Sequence, residues 1–177
     1  DEPLSNLDAK LRNAMRLEIR ELQQRLGITM AYVTHDQTEA MSMADQIVLM
    51  NAGEVVQIGS PVDIYDNPAT VFAARFLGTP PMNILNLMAS DKGLATLGEK
   101  ATVLISGQEN NAQLGVRPEH VRIVDGGGLP ALVENSEFLG ADTLISCRVG
   151  DDEFLVRHPE RYLVKPGDWL RHAWNHN

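Results

Sequence analysis

Apolar residues recur at steps of three and four near the start of the chain, which predicts an amphipathic helix. The apolar stripe consists of Leu11, Met15, Ile19, Leu22 and Leu26. Asp8 precedes the stripe as a candidate N-cap, and Gly27 follows it as a stop signal. We expect this stripe to pack in a core.

The next apolar run, residues 28–33, is short and rich in β-branched residues, which is typical of a strand buried in a parallel sheet. Asp36 and Glu39 have the spacing of a capping box and predict a second helix immediately afterwards. Thr34 and His35 therefore follow the end of a strand, where open α/β sheets place their ligands.

Two further apolar runs, residues 47–50 and 55–58, flank a turn and predict a β-hairpin. Ser60 and Asn67 each stand directly before a proline, so two short helices are expected to begin there and to end near Gly78. Together these elements predict that residues 1–78 form an α/β unit.

The pattern changes after Gly78, where Thr79-Pro80-Pro81 interrupts any regular element and marks a domain boundary. Short β-rich runs follow at residues 82–88, 101–105, 114–116, 120–124, 131–138, 143–149 and 153–156, with a loop at Gly126-Gly127-Gly128. Residues 79–177 are therefore expected to form a small all-β barrel or sandwich.

Composition narrows the possible functions. The chain of 177 residues is 44% apolar and 22% charged with a net charge of −9, which favours folded domains and argues against nucleic acid as a partner. Because no apolar run approaches the roughly 18–20 residues that span a bilayer, we expect a soluble chain. Cys147 has no second cysteine to pair with and is expected in the core.

The strongest chemical signal is the opening Asp1-Glu2-Pro3-Leu4-Ser5-Asn6-Leu7-Asp8, followed by a lone histidine, His35, after the next predicted strand. This arrangement resembles the ATPase subunits of ABC transporters, in which adjacent Asp and Glu end the Walker B strand, the D-loop follows, and a histidine ends the next strand. Residues 33–41, 57–61 and 64–68 are similar to the importer branch that takes up carbohydrates and related solutes.

Two later segments extend the resemblance. Residues 114–120 (Leu-Gly-Val-Arg-Pro-Glu-His) look like the marker of a TOBE-type, OB-like accessory barrel, and residues 139–142 are similar to the glycerol-3-phosphate importer subgroup. The resemblance implies the C-terminal part of a P-loop ABC ATPase domain at residues 1–78 and a TOBE-type domain at residues 79–177.

The resemblance also implies roles for individual residues. Asp1 serves a Mg²⁺ ion, usually through water, Glu2 orients or deprotonates the attacking water, and His35 hydrogen-bonds the γ-phosphate of ATP. Ser5, Asn6 and Asp8 act across a dimer interface and link two ATP sites.

The whole protein would accordingly be a homodimer on the cytoplasmic face of a bacterial membrane. It would contact two permease subunits, receive solute from a binding protein, and offer its β-domain to a regulatory protein.

Each candidate has a plainer interpretation. An Asp-Glu pair suits any helix N-terminus, and a lone histidine such as His35 is often structural. His172 and His176 could share a helix face as metal ligands, but no other ligand completes a site, and a solvated terminal segment is the preferred interpretation.

Arg117, Glu119 and His120 form another candidate cluster at the start of the β-domain. They could bind a ligand, although the resemblance favours a structural role at a corner of the barrel.

No G-x-x-x-x-G-K-[ST] segment occurs in the sequence, so the chain alone is expected to be inactive. We also expect the apolar face of the helix at residues 11–26 to be exposed, residues 1–60 to be partly rearranged or to use a partner's surface, and residues 79–177 to fold alone. The alternative function is a regulatory, ligand-binding or dimerisation module built on the β-domain.

Overall fold

The computed structural model describes residues 2–4, 7–89, 94–97, 101–106 and 112–174. The chain divides into two compact units, residues 1–78 and 79–177. Within the described ranges, none of the helices combines the length and the apolar character needed to cross a membrane.

Helix α1 (Ala9–Leu26) begins and ends where the sequence predicts. The side chain of Asp8 accepts hydrogen bonds from the backbone N–H groups of Lys10 and Leu11, and Gly27 adopts a left-handed conformation with φ of 63°. No residue of α1 is buried, and Leu22 is 45% exposed. The prediction of core packing is therefore wrong for this chain, whereas the expected exposure of the stripe is confirmed.

Residues 28–33 do not form the predicted strand. Their apolar, β-branched composition favours extended backbone, but a strand also needs a partner, and no described segment forms a ladder with them. Helix α2 (Gln37–Met43) follows as predicted, because the Asp36 side chain accepts from the N–H groups of Thr38 and Glu39.

The rest of the first unit is a hairpin and two short helices. Strands β1 (Ile47–Asn51) and β2 (Glu54–Gly59) pair in antiparallel fashion, and Ser60 caps helix α3 (Pro61–Asp66), all as predicted. Helix α4 (Val71–Phe76) begins later than expected.

The start of α4 was misplaced because Asn67 has a different role. Asn67 ends α3, where its N–H donates to the Asp63 carbonyl, and Thr70 is the residue that caps α4. A small apolar core of Ile47, Ile64 and Leu77 lies between the hairpin and these helices.

The second unit is antiparallel β-structure. Its strands are β3 (Asn83–Asn86), β4 (Met88–Ala89), β5 (Leu94–Leu97), β6 (Ala101–Ser106), β7 (Gln113–Val116), β8 (Arg122–Val124), β9 (Leu129–Phe138), β10 (Thr143–Val149), β11 (Asp152–His158) and β12 (Trp169–Ala173). The main sheet has the order β11-β10-β9-β12-β8, while β3 pairs with β7 and β4-β5-β6 form a third sheet. The curled main sheet fits the expected OB-like β-domain.

Alternation along the strands of the main sheet directs one set of side chains into a core. Phe154, Ile145, Cys147, Val156 and Ala131 have no exposed surface, so the prediction for Cys147 is confirmed. Burial raises the pKa of the Cys147 thiol to about 12, which keeps it protonated.

Three details of the second unit differ from the sequence-based expectation. Strands β5 and β12 were not predicted. His172, expected in a solvated segment, lies on β12 with no exposed surface, and its ring packs against Phe154 in the core. His120 ends a 3₁₀ turn (Pro118–His120) that proline initiates, instead of starting a strand.

The corner at residues 117–120 divides into buried and exposed side chains. Arg117 is 3% exposed, whereas Glu119 and His120 face solvent. The burial of Arg117 fits the structural role expected for this corner.

The outer edge of the main sheet is closed by one side chain. The Asn83 amide donates to the Leu155 carbonyl at 2.8 Å and accepts from the Leu155 N–H at 2.7 Å. Asn83 is 4% exposed, so its amide takes the place of a neighbouring strand at the middle of β11.

Candidate functional site

Two predicted catalytic side chains meet in the first unit. The Nδ1 atom of His35 lies 2.7 Å from Oε1 of Glu2, and the Glu2 N–H donates to the Val33 carbonyl at 2.9 Å. Both side chains are accessible, with exposed fractions of 71% for His35 and 44% for Glu2. The hydrogen bond and the charge of Glu2 raise the pKa of His35, which favours the imidazolium form.

The backbone of Glu2 is unusual. Its φ is 47°, in the left-handed region that non-glycine residues seldom adopt. Non-glycine residues with this backbone conformation cluster at active sites and ligand-binding sites. Here the conformation accompanies a carboxylate that reaches the residue following the extended segment 28–34.

An arginine joins the segment before α1 to the start of α2. Arg12 donates to the Leu7 carbonyl at 3.0 Å, and its guanidinium lies 3.5 Å from the Asp36 carboxylate. Burial opposes ionisation of Asp36, but the backbone N–H groups of Thr38 and Glu39 outweigh it and hold the pKa of this carboxyl below its usual range. Asp36 therefore stays charged and serves both as a helix cap and as the partner of Arg12.

Behind His35 lies a buried carboxylate, Glu39, with 3% of its surface exposed. Its Oε2 accepts from the Thr34 hydroxyl at 2.6 Å and from the Tyr32 hydroxyl at 3.2 Å. Burial and the charge of Glu39 raise the pKa of Tyr32 to about 12, so the phenol remains protonated and donates at neutral pH.

These side chains enclose a small polar cavity of about 40 Å³. It is lined by Glu2, Arg12, Thr34, His35, Asp36 and Glu39. A space of this size accommodates water molecules but is far too small for a nucleotide. The arrangement can therefore hold water between a carboxylate, an imidazole and a guanidinium.

The structure brings together only part of the predicted site. Glu2 and His35 are adjacent, whereas Asp8 caps α1 and does not line the cavity. Asp1, Ser5 and Asn6 lie outside the described residues, so the magnesium role of Asp1 and the nucleotide contacts of Ser5 and Asn6 stay predictions. Across the described part of the chain, no three His, Cys, Asp or Glu side chains are grouped to hold a metal ion.

Sequence reasoning missed the contribution of Arg12 and placed Glu39 in the wrong contact. The D-x-x-E spacing identified Asp36 as the cap of α2 correctly, but the Glu39 carboxylate turns to Thr34 and Tyr32. A glutamate at the buried side of a short helix, preceded by two hydroxyl residues, is the signal that could have indicated this contact.

Comparison with known proteins covers both units. Residues 114–176 match the family described as TOBE domain. The sn-glycerol-3-phosphate import ATP-binding protein of Psychromonas ingrahamii is 52% identical over 168 residues, which is 93% of this chain and 45% of the relative. The protein of the same name from Salmonella typhi is 45% identical over 181 residues, which is 97% of this chain and 51% of the relative.

The chain thus spans about half the length of the curated relatives that it matches, and it corresponds to their C-terminal part. Its second unit contains the TOBE domain that the marker at residues 114–120 predicted. High identity across nearly the whole chain, together with that domain, gives a consistent assignment: the chain belongs to the family of ATP-binding proteins of ABC importers.

Proposed function

We propose that the protein hydrolyses ATP and uses it to power import of sn-glycerol-3-phosphate or a sugar-like solute. The observation that carries this proposal is the 2.7 Å contact between Glu2 and His35, two residues that the sequence assigned to one reaction. The names of the relatives support the choice of sn-glycerol-3-phosphate as the solute.

The chemistry of phosphoryl transfer to water gives each side chain a task. The carboxylate of Glu2 orients the attacking water or accepts its proton, and the small cavity beside it has room for that water. His35 is held by Glu2 and keeps its proton readily, so its imidazole is suited to donate to a γ-phosphate oxygen.

A magnesium ion is part of the same proposal. Asp1 would serve this ion through water, with a carboxylate oxygen of the hard type that Mg²⁺ prefers, and Glu2 follows Asp1 in sequence. When bound, the ion would neutralise charge on the phosphates of ATP. Ser5, Asn6 and Asp8 then belong to the segment that meets the second nucleotide site of a homodimer.

Membership of this family supports a proposal for the assembly. We propose a homodimer bound to two permease subunits on the cytoplasmic face of the membrane, with solute delivered by a binding protein and regulation received through the TOBE domain. Since the sequence contains no G-x-x-x-x-G-K-[ST] segment, the residues printed here are proposed not to hydrolyse ATP by themselves.

A regulatory, ligand-binding or dimerisation module without catalysis is the alternative function. It is favoured by the position of the TOBE match and by the larger apolar core of the second unit. The two functions differ in whether Glu2 matters for turnover.

The test joins this chain, at residue 1, to the upstream half of the Psychromonas ingrahamii relative and measures ATP hydrolysis. Glu2→Gln is expected to lower kcat by about 100-fold or more, because it removes a group that acts on the attacking water. Glu54→Gln, an exposed position on β2, is the matched control and should leave kcat unchanged. Hydrolysis that is equally fast before and after the Glu2→Gln substitution would end the catalytic assignment.

A further inference from the structure

The Glu39 carboxylate is an unusual group to find inside a small unit. It is 3% exposed, although the apolar cluster around Ile47, Ile64 and Leu77 in this unit is small. Removing a carboxylate from water is unfavourable unless hydrogen bonds replace the water. The two hydroxyl donors, Thr34 and Tyr32, provide those bonds.

Helix capping does not explain the position of Glu39. In a capping box its side chain would return to the backbone N–H of Asp36. That N–H donates instead to the Thr34 hydroxyl at 2.9 Å. The Asp36 carboxylate separately holds the first N–H groups of α2, so the cap functions without the Glu39 side chain.

One hydroxyl consequently fixes the backbone on both sides of His35. Thr34 donates to Glu39 and accepts from the N–H of Asp36, and these contacts bracket the histidine. On the other side, the N–H of Glu2 bonds the carbonyl of Val33. The imidazole and the Glu2 carboxylate therefore meet because both backbones are held.

We propose that Glu39 is a positioning residue: through the Thr34 hydroxyl it holds His35 against Glu2. This inference rests on the proposed function, because it deepens the role of the same site. The Glu39 carboxylate accepts hydrogen bonds from Thr34 and Tyr32, and the Thr34 hydroxyl transmits its effect to His35.

The first test uses the chain itself and the nitrogen-15 resonance of His35 Nδ1, recorded near neutral pH. Glu2→Ala, which removes the acceptor of the ring, gives the resonance position of an unpaired ring. Thr34→Val, which keeps the shape and removes the hydroxyl, is expected to move the resonance toward that position. Thr34→Ser keeps the hydroxyl and should leave the resonance where it is in the unchanged chain.

A second pair of variants separates positioning from charge. Glu39, Asp36 and Glu2 all act electrostatically on His35, so removing the charge of Glu39 affects the ring directly. Glu39→Gln and Glu39→Ala both remove that charge, but only Gln keeps an acceptor for Thr34. We expect a larger change of the Nδ1 resonance in Glu39→Ala than in Glu39→Gln. If a variant of one pair fails to fold, the other pair, at Thr34 or at Glu39, still tests the proposal.

Three outcomes would overturn the proposal: an unchanged resonance in Thr34→Val, equal changes in the two Glu39 variants, or an unchanged resonance in Glu2→Ala. The last would mean that no pair exists to be positioned.

ATP hydrolysis is measured separately, on the chain joined to the upstream half of the Psychromonas ingrahamii relative. Thr34→Val should lower kcat about tenfold with little change in KM for ATP, because the reacting groups are misplaced while binding contacts remain, and Thr34→Ser should restore kcat. A rise in KM at constant kcat would contradict positioning. Failure of the proposed function is distinguishable, because it appears as turnover that is insensitive to Glu2→Gln while the resonance changes remain.

Discussion

The two units of this chain maintain their structure by different means. In the second unit, apolar side chains from β3, β7 and the main sheet form a continuous core around Phe154. In the first unit the clustered apolar core is small, with Ile47, Ile64 and Leu77 at its centre, and α1 buries no residue. The candidate site lies in the first unit, where hydrogen bonds and ion pairs fix its side chains.

This difference shows why the site is accessible. Apolar packing holds side chains firmly but removes them from solvent, whereas polar contacts can hold Glu2 and His35 while leaving both exposed. Polar contacts at accessible positions contribute little stability each, since water competes for them. The first unit should therefore be the less sensitive of the two to loss of an apolar side chain.

The largest effect is expected from removing the central aromatic ring of the second unit. Phe154 has no exposed surface, and its ring centroid lies 5.4 Å from that of His172 and 6.2 Å from that of Trp174. Phe154→Ala should lower the free energy of unfolding of this unit by about 3–5 kcal/mol. Hydrogen exchange of amides in β9–β11 measures the change.

Leu22→Ala on α1 is the matched control in the first unit. Leu22 is 45% exposed, so the loss should stay within about 0.5 kcal/mol. Equal losses in the two variants would show that the units do not differ in packing.

The pH dependence of stability provides a second way to distinguish the two units. Burial lowers the pKa of His172 to about 4, from an ordinary value of 6.5, with the Leu129 backbone acting in the opposite direction. The unfolded chain therefore binds the proton first, so the stability that His172 contributes is present above about pH 6.5 and is lost as the pH falls toward 4. The loss amounts to roughly 3 kcal/mol.

His172→Phe removes the titrating group and keeps a ring against Phe154. Urea unfolding of the second unit at several pH values should show a weaker acid dependence in this variant. Parallel pH profiles for the two proteins would contradict the assignment.

The pH dependence expected for His35 in the first unit has the opposite sign. Glu2 raises the pKa of His35, so the stability that this residue contributes is present at low pH and is lost as the pH rises.

A third effect is expected in one loop of the second unit, and it has an internal control. Gly127 and Gly128 have φ of 71° and 66°, so Ala is strained at either position. A Cβ on Gly128 would lie 2.4 Å from the carbonyl oxygen of His172, whereas one on Gly127 would meet nothing within 4 Å.

Gly127→Ala should therefore cost about 1–2 kcal/mol, and Gly128→Ala should cost clearly more because the backbone of β12 must also move. Thermal unfolding of the two variants measures this difference. Equal melting temperatures would mean that the loop moves away from β12 without cost.

Local signals in the sequence were sufficient for most helix ends. Asp8, Asp36 and Ser60 were identified as caps because a side-chain oxygen before a helix satisfies nearby N–H groups. Strand assignment was weaker, because a strand depends on a partner elsewhere in the chain. Residues 28–33 have strand composition without a partner, and β12 was missed although it has two.

The site divides in a similar way. Glu2 and His35 were found because their order and surroundings resemble those of a known family, and their contact is in agreement with that resemblance. The contact of Glu39 with Thr34 could not be found by the same route. It depends on which way a side chain turns in a short helix, and both directions are compatible with the sequence.

The amide of Asn83 has a consequence for how the protein behaves in a crowded solution. An unpaired outer strand is a template on which extended segments of other chains can add, a first step toward aggregates. By occupying both backbone groups of Leu155, Asn83 blocks that addition at the centre of β11. At the opposite edge, β8 has only three residues and offers little length for pairing. A carboxamide at one edge of the main sheet and a short strand at the other thus both limit pairing with other chains.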